Sequence, residues 1–292
     1  MNKFKNKILK TGKYIRNVSF KKKLIFSIIL LLFIAFIFVY LGDVVIFSKK
    51  DTGKIGWITD IHAGTNKKRA FIREKDGSEN TLYPKKYKEY FPMVLKRIKR
   101  EGIKTLIVTG DSTNLTEFHH AKELKKMGDE SGIKIIWVRG NHDFLPGRGK
   151  DTMSELGVTE YFYSYDTKIA RIIVLDINFN GPLLSEENLE WLKQKLQETN
   201  LPVILAMHTP IIDYDSGNFQ EAYVKLGDII TSNDKVKFVI SGHTHEDKKI
   251  TKDGITYQTA WPLTQKGHMG SYYAIDINSN KIDHFENYYN EK

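Results

Sequence analysis

The chain has 292 residues, length for one large domain or two small ones with a sizeable core, and no cysteine, which excludes disulfides, thiolate zinc sites and cysteine nucleophiles. Its formal charge of +10 is local: Lys3, Lys5, Lys7, Lys10, Lys13, Arg16, Lys21, Lys22 and Lys23 precede an uncharged segment. The remainder carries 36 basic residues (45 minus these 9) and 35 acidic ones, a net of +1, which argues against a nucleic-acid groove.

Residues 1–23 form a basic N-terminus, and Leu24 to Leu41 contain no charge. These positions would reach about 27 Å as a helix, enough to cross a bilayer. Residues 24–42 are therefore expected to be a transmembrane signal-anchor helix. The lysine asymmetry places the N-terminus in the cytoplasm and the rest outside, as a single-pass protein of the cell membrane. A cleaved signal peptide fits less well, because the run exceeds the usual apolar length of about 7–15 residues and no small-x-small site follows closely. A buried core helix fits poorly too, since no polar face is present. A polar linker over 43–53 leads into a single folded domain over 54–292.

Within that domain, runs rich in Ile and Val predict strands at Ile55–Thr59, Thr105–Thr109, Lys134–Val138, Arg171–Asp176, Pro202–Met207 and Lys237–Ser241. Apolar residues at three- and four-residue intervals predict helices at Lys85–Arg100, Glu117–Glu130, Glu186–Thr199 and Phe219–Thr231. Ser185 and Asn188 open the third helix as an imperfect capping box. The segment from Ala63 to Tyr83 reads as a long charged loop, either a substrate lid or a solvated excursion. The tail turns to alternating strands at Ile255–Ala260, Tyr272–Ile277 and Lys281–Tyr288. Alternating elements followed by a strand-rich tail indicate a layered α/β fold with mixed sheets.

Five short segments carry the chemistry: Asp60-Ile61-His62, Gly110-Asp111, Gly140-Asn141-His142-Asp143, His208 and Gly242-His243-Thr244-His245. Each follows the C-terminal end of a predicted strand, where loops supply polar groups while the strand anchors them. Taken singly, Asp60-x-His62 and Gly110-Asp111 are common turn or cap patterns, and His208 could be an ordinary half-buried histidine. The Gly-Asn-His-Asp and Gly-His-Thr-His segments are more specific, and the ordered set is more specific still. Carboxylate and amide oxygens mixed with imidazoles suit Mn, Fe, Zn or Co.

The ordered motifs resemble the calcineurin-like metallophosphoesterase family over roughly residues 54–285. The resemblance implies a four-layer αββα sandwich, two mixed sheets flanked by helices, here preceded by one transmembrane helix. It implies two divalent ions (Mn, Fe or Zn), one held by Asp60, His62, Asp111 and His245, the other by Asp111, Asn141, His208 and His243. Asp111 would bridge them, and a water acidified between the ions would attack phosphorus in line. His142 would then be the general acid and Asp143 the group that orients it.

The stretch from Leu184 through Pro202–Pro210 looks like the phosphodiesterase branch, so a diester is the favoured substrate, with an envelope phosphodiester or a nucleotide as the partner molecule. A phosphomonoesterase, a pyrophosphatase and a metal-retaining interaction platform without turnover remain open. Asn114 is a candidate substrate contact or a helix N-cap, and His268 a candidate substrate contact from a late loop. His119, His120 and His284 are expected at the surface, and Trp261-Pro262 in core packing. Oligomeric state is not legible.

Overall fold

The computed structural model describes residues 25–34, 36, 52–65, 69–73, 79–145, 150–177 and 184–286. The chain divides into two compact units, 1–49 and 50–292. In the first, residues 25–34 and 36 are helical, and their large apolar side chains, from Ile25 to Phe36, are exposed. No helix among the described residues is long and apolar enough to cross a membrane. The rest of the expected span at 24–42, the basic segment 1–23 and most of the linker 43–53 lie outside the described residues.

The second unit is built on two mixed sheets. In the first, β1 (Lys54–Ile58), β4 (Thr105–Val108) and β5 (Lys134–Trp137) run parallel, while β14 (Tyr272–Asp276) and β15 (Lys281–Phe285) add antiparallel strands, in the order β15-β14-β1-β4-β5. In the second, β9 (Arg171–Val174), β10 (Val203–Ala206), β11 (Val236–Ser241) and β13 (Ile255–Thr259) are parallel. Antiparallel β12 (Lys249–Lys252) and β8 (Tyr163–Asp166) close its two edges.

Alternation along the strands assigns the layers, because successive side chains point to opposite faces. Trp57, Ile107, Ile136, Ile172, Ile204, Phe238 and Tyr273 face one another between the sheets. Ile58, Leu106 and Val108 turn outward onto α1 (Tyr87–Arg100) and α2 (Phe118–Ser131), meeting Phe91, Val94, Ile98 and Leu124. Ile173, Leu205 and Val239 turn outward onto α3 (Glu186–Gln197) and α4 (Val224–Thr231), meeting Leu189, Leu192 and Leu226. The expected helix, sheet, sheet, helix stacking is thus present. Ser185 and Asn188 do form a reciprocal cap on α3, so two of its otherwise unpaired N–H groups are satisfied.

Several expectations need correction. The segment 63–83 contains an antiparallel hairpin of β2 (Arg69–Arg73) and β3 (Glu79–Leu82), and Leu82 is buried and bridged to Gln265. The edge strands β8 and β12 were not expected, because YSYD and KITK lack the apolar run of a central strand. A short ladder, β6 (Phe144–Leu145) with β7 (Lys150–Asp151), follows the third motif. The last strand ends at Phe285, and residues 287–288 of its expected span lie outside the described residues. His120 is not at the surface but buried against the Tyr87 hydroxyl at 2.7 Å. His284 is half-buried and stacks on Tyr273 at 4.4 Å.

Trp57 ties the inner layer together: it is fully buried, packs on Tyr273 at 4.9 Å between ring centres, and donates from Nε1 to Thr109 Oγ1 at 2.9 Å. We expect Trp57→Ala to cost about 3–5 kcal/mol and Trp57→Phe clearly less, as read from urea unfolding midpoints.

Candidate metal centre

The parallel pairing of β1 with β4 continues beyond the strands. Asp60 N donates to Gly110 O at 3.1 Å, His62 N to Asp111 O at 2.8 Å and Ala63 N to Ser112 O at 2.9 Å. The first two motifs are therefore locked side by side as an extension of the ladder. The second sheet joins at the same edge, where Gly242 N donates to His208 O at 2.9 Å and His243 N donates across to Asp60 Oδ2 at 3.0 Å.

Two glycines permit this approach. A Cβ on Gly242 would lie 2.0 Å from Thr59 Oγ1 and 2.3 Å from Asp60 Oδ2. One on Gly140 would lie 2.1 Å from Asp111 N. Real contacts do not come that close, so any side chain would force the loops apart.

Asp60, His62, Asp111, His243 and His245 all adopt left-handed backbone conformations, with φ between 47° and 71°. Such geometry is uncommon outside glycine and accumulates at functional sites, where surrounding contacts over-determine it. In both Asp60-x-His62 and His243-x-His245 it falls on the two polar residues flanking the middle one.

The result is a convergence of ligand atoms. Asp60, His62 and His245 group together, with His62 Nε2 and His245 Nε2 only 3.2 Å apart and Asp60 Oδ1 3.3 Å from His245 Nε2. On the other side, Asn141 Oδ1 lies 3.0 Å from both His208 Nε2 and His243 Nδ1. Asp111 stands between the groups, its Oδ2 at 3.5 Å from His62 Nε2 and its Oδ1 at 3.4 Å from His208 Nε2. All seven residues expected from the sequence as metal ligands (Asp60, His62, Asp111, Asn141, His208, His243, His245) are thus brought together.

The donor set fits a cation. A carbonyl can only accept, so His208 Nδ1, 2.9 Å from Thr109 O, must carry a proton. In the neutral ring Nε2 then presents a lone pair to Asn141 Oδ1 and Asp111 Oδ1, acceptor against acceptor. Asp60 Oδ1 is likewise buried without a hydrogen-bond donor. In the metal-free chain a proton meets this demand: burial alone would lower His208, but Asp111 and Asp60 outweigh it and push the imidazole up to about 10. Burial lowers His62 and His243 to about 4, so both stay neutral near pH 7. Burial opposes ionisation of Asp60 and Asp111 as well, yet the histidines hold both carboxyls below the ordinary range.

His142 also reaches the cluster, its Nε2 4.0 Å from Asp111 Oδ2 and its ring edge-on to His62 at 4.8 Å. Asp143 does not orient it. That carboxylate accepts from the backbone N–H groups of Ser112, Thr113 and Gly140 at 2.8–3.1 Å, which pins the second motif to the third. Burial and the nearby Asp111 charge raise Asp143 to about 7 despite those donors. The His142 ring is held instead by the Asn114 carbonyl, which accepts from Nδ1 at 2.8 Å.

Asn114 is therefore a buried scaffold residue, and the N-cap of α2 is Glu117. His268 stacks on Trp261 at 4.0 Å and belongs to none of the metal-type groups. Thr59 was missed: its hydroxyl donates to Asp60 Oδ2 at 2.6 Å, and only its place beside the first motif could have marked it. A cavity of about 470 Å³ opens elsewhere, between β5 and β8, and none of the converging residues lines it.

Residues 53–247 match the family described as calcineurin-like phosphoesterase. A protein named probable cyclic nucleotide phosphodiesterase, from Psychrobacter sp. (strain PRwf-1), is 26% identical over 166 residues, covering 51% of this chain and 49% of that protein. Another so named, from Synechococcus sp., is 27% identical over 182 residues, covering 59% of this chain and 69% of its own. The chain thus spans about half the length of the Psychrobacter relative. The crystal structure of a dimetal phosphatase from Danio rerio aligns with a TM-score of 0.59 at 14% identity, covering 77% of this chain and 92% of that one. At that identity the likeness speaks for the fold alone.

If a divalent ion replaces the His208 proton, binding releases it. Mn titrated calorimetrically into the metal-free protein near pH 7.5, in buffers of different ionisation enthalpy, should show about one proton released, and affinity should climb with pH until His208 deprotonates near pH 10. No proton release would mean that metal does not displace the proton on His208 Nε2.

Proposed function

This chain belongs to the calcineurin-like phosphoesterase family, and we propose that it is a metal-dependent hydrolase of phosphoric esters, acting on diesters in preference to monoesters. The observation that carries this reading is the position of Asp111, whose two carboxylate oxygens face histidines of different groups, Oδ2 toward His62 and Oδ1 toward His208. One ion would be held by Asp60, His62, Asp111 and His245, and the other by Asp111, Asn141, His208 and His243. Two divalent ions of the Mn, Fe or Zn type would supply Lewis acidity toward the phosphoryl oxygens and lower the pKa of an attacking water.

The chain's own residues do the rest. Thr109 O fixes the His208 tautomer, and Thr59 Oγ1 with His243 N fixes Asp60 Oδ2. Asp60, His62 and His208 are fully buried, which keeps bulk water from competing at the back of the centre. His142 keeps Nδ1 on the Asn114 carbonyl, so Nε2 is the atom from which a proton passes to the departing oxygen. Its partial exposure puts it at the open side, where a leaving group can reach it.

The names of the two relatives support the diester side. A monoesterase, a pyrophosphatase or a metal-retaining platform are the alternatives that assays separate. The uncharged run at 24–42 behind nine basic residues supports a single membrane anchor, with the catalytic unit outside the cytoplasm and an envelope phosphodiester or a nucleotide as substrate. Recovery of the full-length protein in the soluble fraction after carbonate extraction would remove the anchor from this reading.

With Mn bound, hydrolysis of bis-p-nitrophenyl phosphate should exceed that of p-nitrophenyl phosphate and vanish in Asp111→Asn. An alkyl leaving group needs a proton more than nitrophenolate does. His142→Ala should therefore lower turnover of an alkyl diester by about a hundredfold or more while sparing the aryl diester. Equal losses on both would take His142 out of the acid role, and no turnover with any of these metals would favour the platform.

A further inference from the structure

Arg139 immediately precedes Gly140-Asn141-His142-Asp143 and has no part in the scheme above. It is largely buried, with 11% of its side chain exposed. Its guanidinium forms a fork with Asp176, Nε donating to Oδ1 at 3.1 Å and Nη2 to Oδ2, while Nη1 donates to Asp151 at 3.1 Å. Its central carbon lies 3.8 Å from the Tyr161 ring centre and 4.7 Å from that of Phe144, and Tyr161 donates to Asp151 Oδ2 at 2.6 Å.

Two features give this cluster a direction. Arg139 and Phe144 flank the four-residue segment 140–143, so their contact closes that segment at its base like a clasp. Asp176 follows β9 in the opposite sheet, and its neighbour Ile177 accepts from Thr209 N at 3.1 Å, next to His208. The path from Asn141 through Arg139, Asp176 and Thr209 to His208 therefore runs behind the pair Asn141 Oδ1 and His208 Nε2, which stand 3.0 Å apart. Each end of the path follows a strand of a different sheet.

We propose that Arg139, through its fork to Asp176, is a positioning residue that holds Asn141 opposite His208 and so shapes the second ion's half of the centre. This rests on the two-metal reading above. Asp60, His62 and His245 lie outside the path, and Asp60 and His62 are tied by the extension of the ladder between β1 and β4. Planarity matters as much as charge: a lysine keeps the positive charge but cannot make the two-pronged fork to Asp176.

The test is calorimetric titration of the full-length protein with Mn, in wild type, Arg139→Lys, Asp176→Asn and Tyr163→Phe. The last removes a different hydrogen bond between the sheets, from Tyr163 Oη to Trp137 O at 2.7 Å, which lies outside the path through Asp176. Arg139→Lys and Asp176→Asn should each weaken the second equivalent by on the order of tenfold or more, leave the first equivalent in place, and lower kcat with KM unchanged. Their combination should cost no more than either alone. Tyr163→Phe should lower the melting temperature without separating the two equivalents.

Unchanged binding in both variants would overturn the proposal, as would equal weakening of both equivalents in step with lost thermal stability. Either result leaves wild type with two equivalents and the two-metal reading intact. A wild type that takes up only one equivalent overturns that reading and the proposal with it. Asp176→Asn keeps the side-chain shape, so the proposal stays testable if Arg139→Lys does not fold.

Discussion

Everything at this edge depends on placing two buried carboxylates and four imidazoles within a few ångströms of one another. Asp111 is the point of greatest demand, with both oxygens turned toward histidines and the His142 backbone N–H donating to Oδ1 at 2.8 Å. Such a cluster is stable only if positive charge enters it. A proton on His208 is the minimal solution: Asp111 and Asp60 push that one imidazole up, while burial pushes His62 and His243 down. Divalent ions would answer the same electrostatic demand more completely, and this demand connects the fold to its proposed chemistry.

The convergence has a conformational cost. Five polar residues in left-handed geometry together cost on the order of 5 kcal/mol, a large part of a typical domain's net stability of about 5–15 kcal/mol. Three apolar layers offset it, and the layer between the sheets brings the two halves of the site to one edge. Contacts that join the two sheets there are short and specific: His243 N to Asp60 and Arg139 to Asp176. Each needs backbone or side-chain geometry within a few tenths of an ångström, which is why glycine occupies positions 140 and 242.

Much of this was legible in the sequence because periodicity and motif order are local signals. The central strands and four helices lie within a few residues of where alternating and helical spacing put them, and every residue expected to bind metal is in the cluster. What escaped reading depends on long-range partners. Asp143 sits beside His142 in sequence, yet its carboxylate turns to the backbone of residues 112–113, a pairing created by the crossover from β4 to β5. His120 looked like a surface histidine in a charged helix until α1 packed Tyr87 against it. The edge strands β8 and β12 carry polar sequences, so their pairing follows from neighbours and not from composition. Arg139 is one basic residue among 45 until the second sheet supplies Asp176.

The most direct measurement of the central claim is a crystal structure of the Mn-loaded protein with an anomalous difference map. The account requires two peaks about 3.5–4 Å apart, one against Asp60, His62 and His245, the other against Asn141, His208 and His243, with Asp111 reaching both. A single peak, or peaks away from Asp111, would contradict a two-metal centre and leave the convergence of these loops to be explained by structure alone.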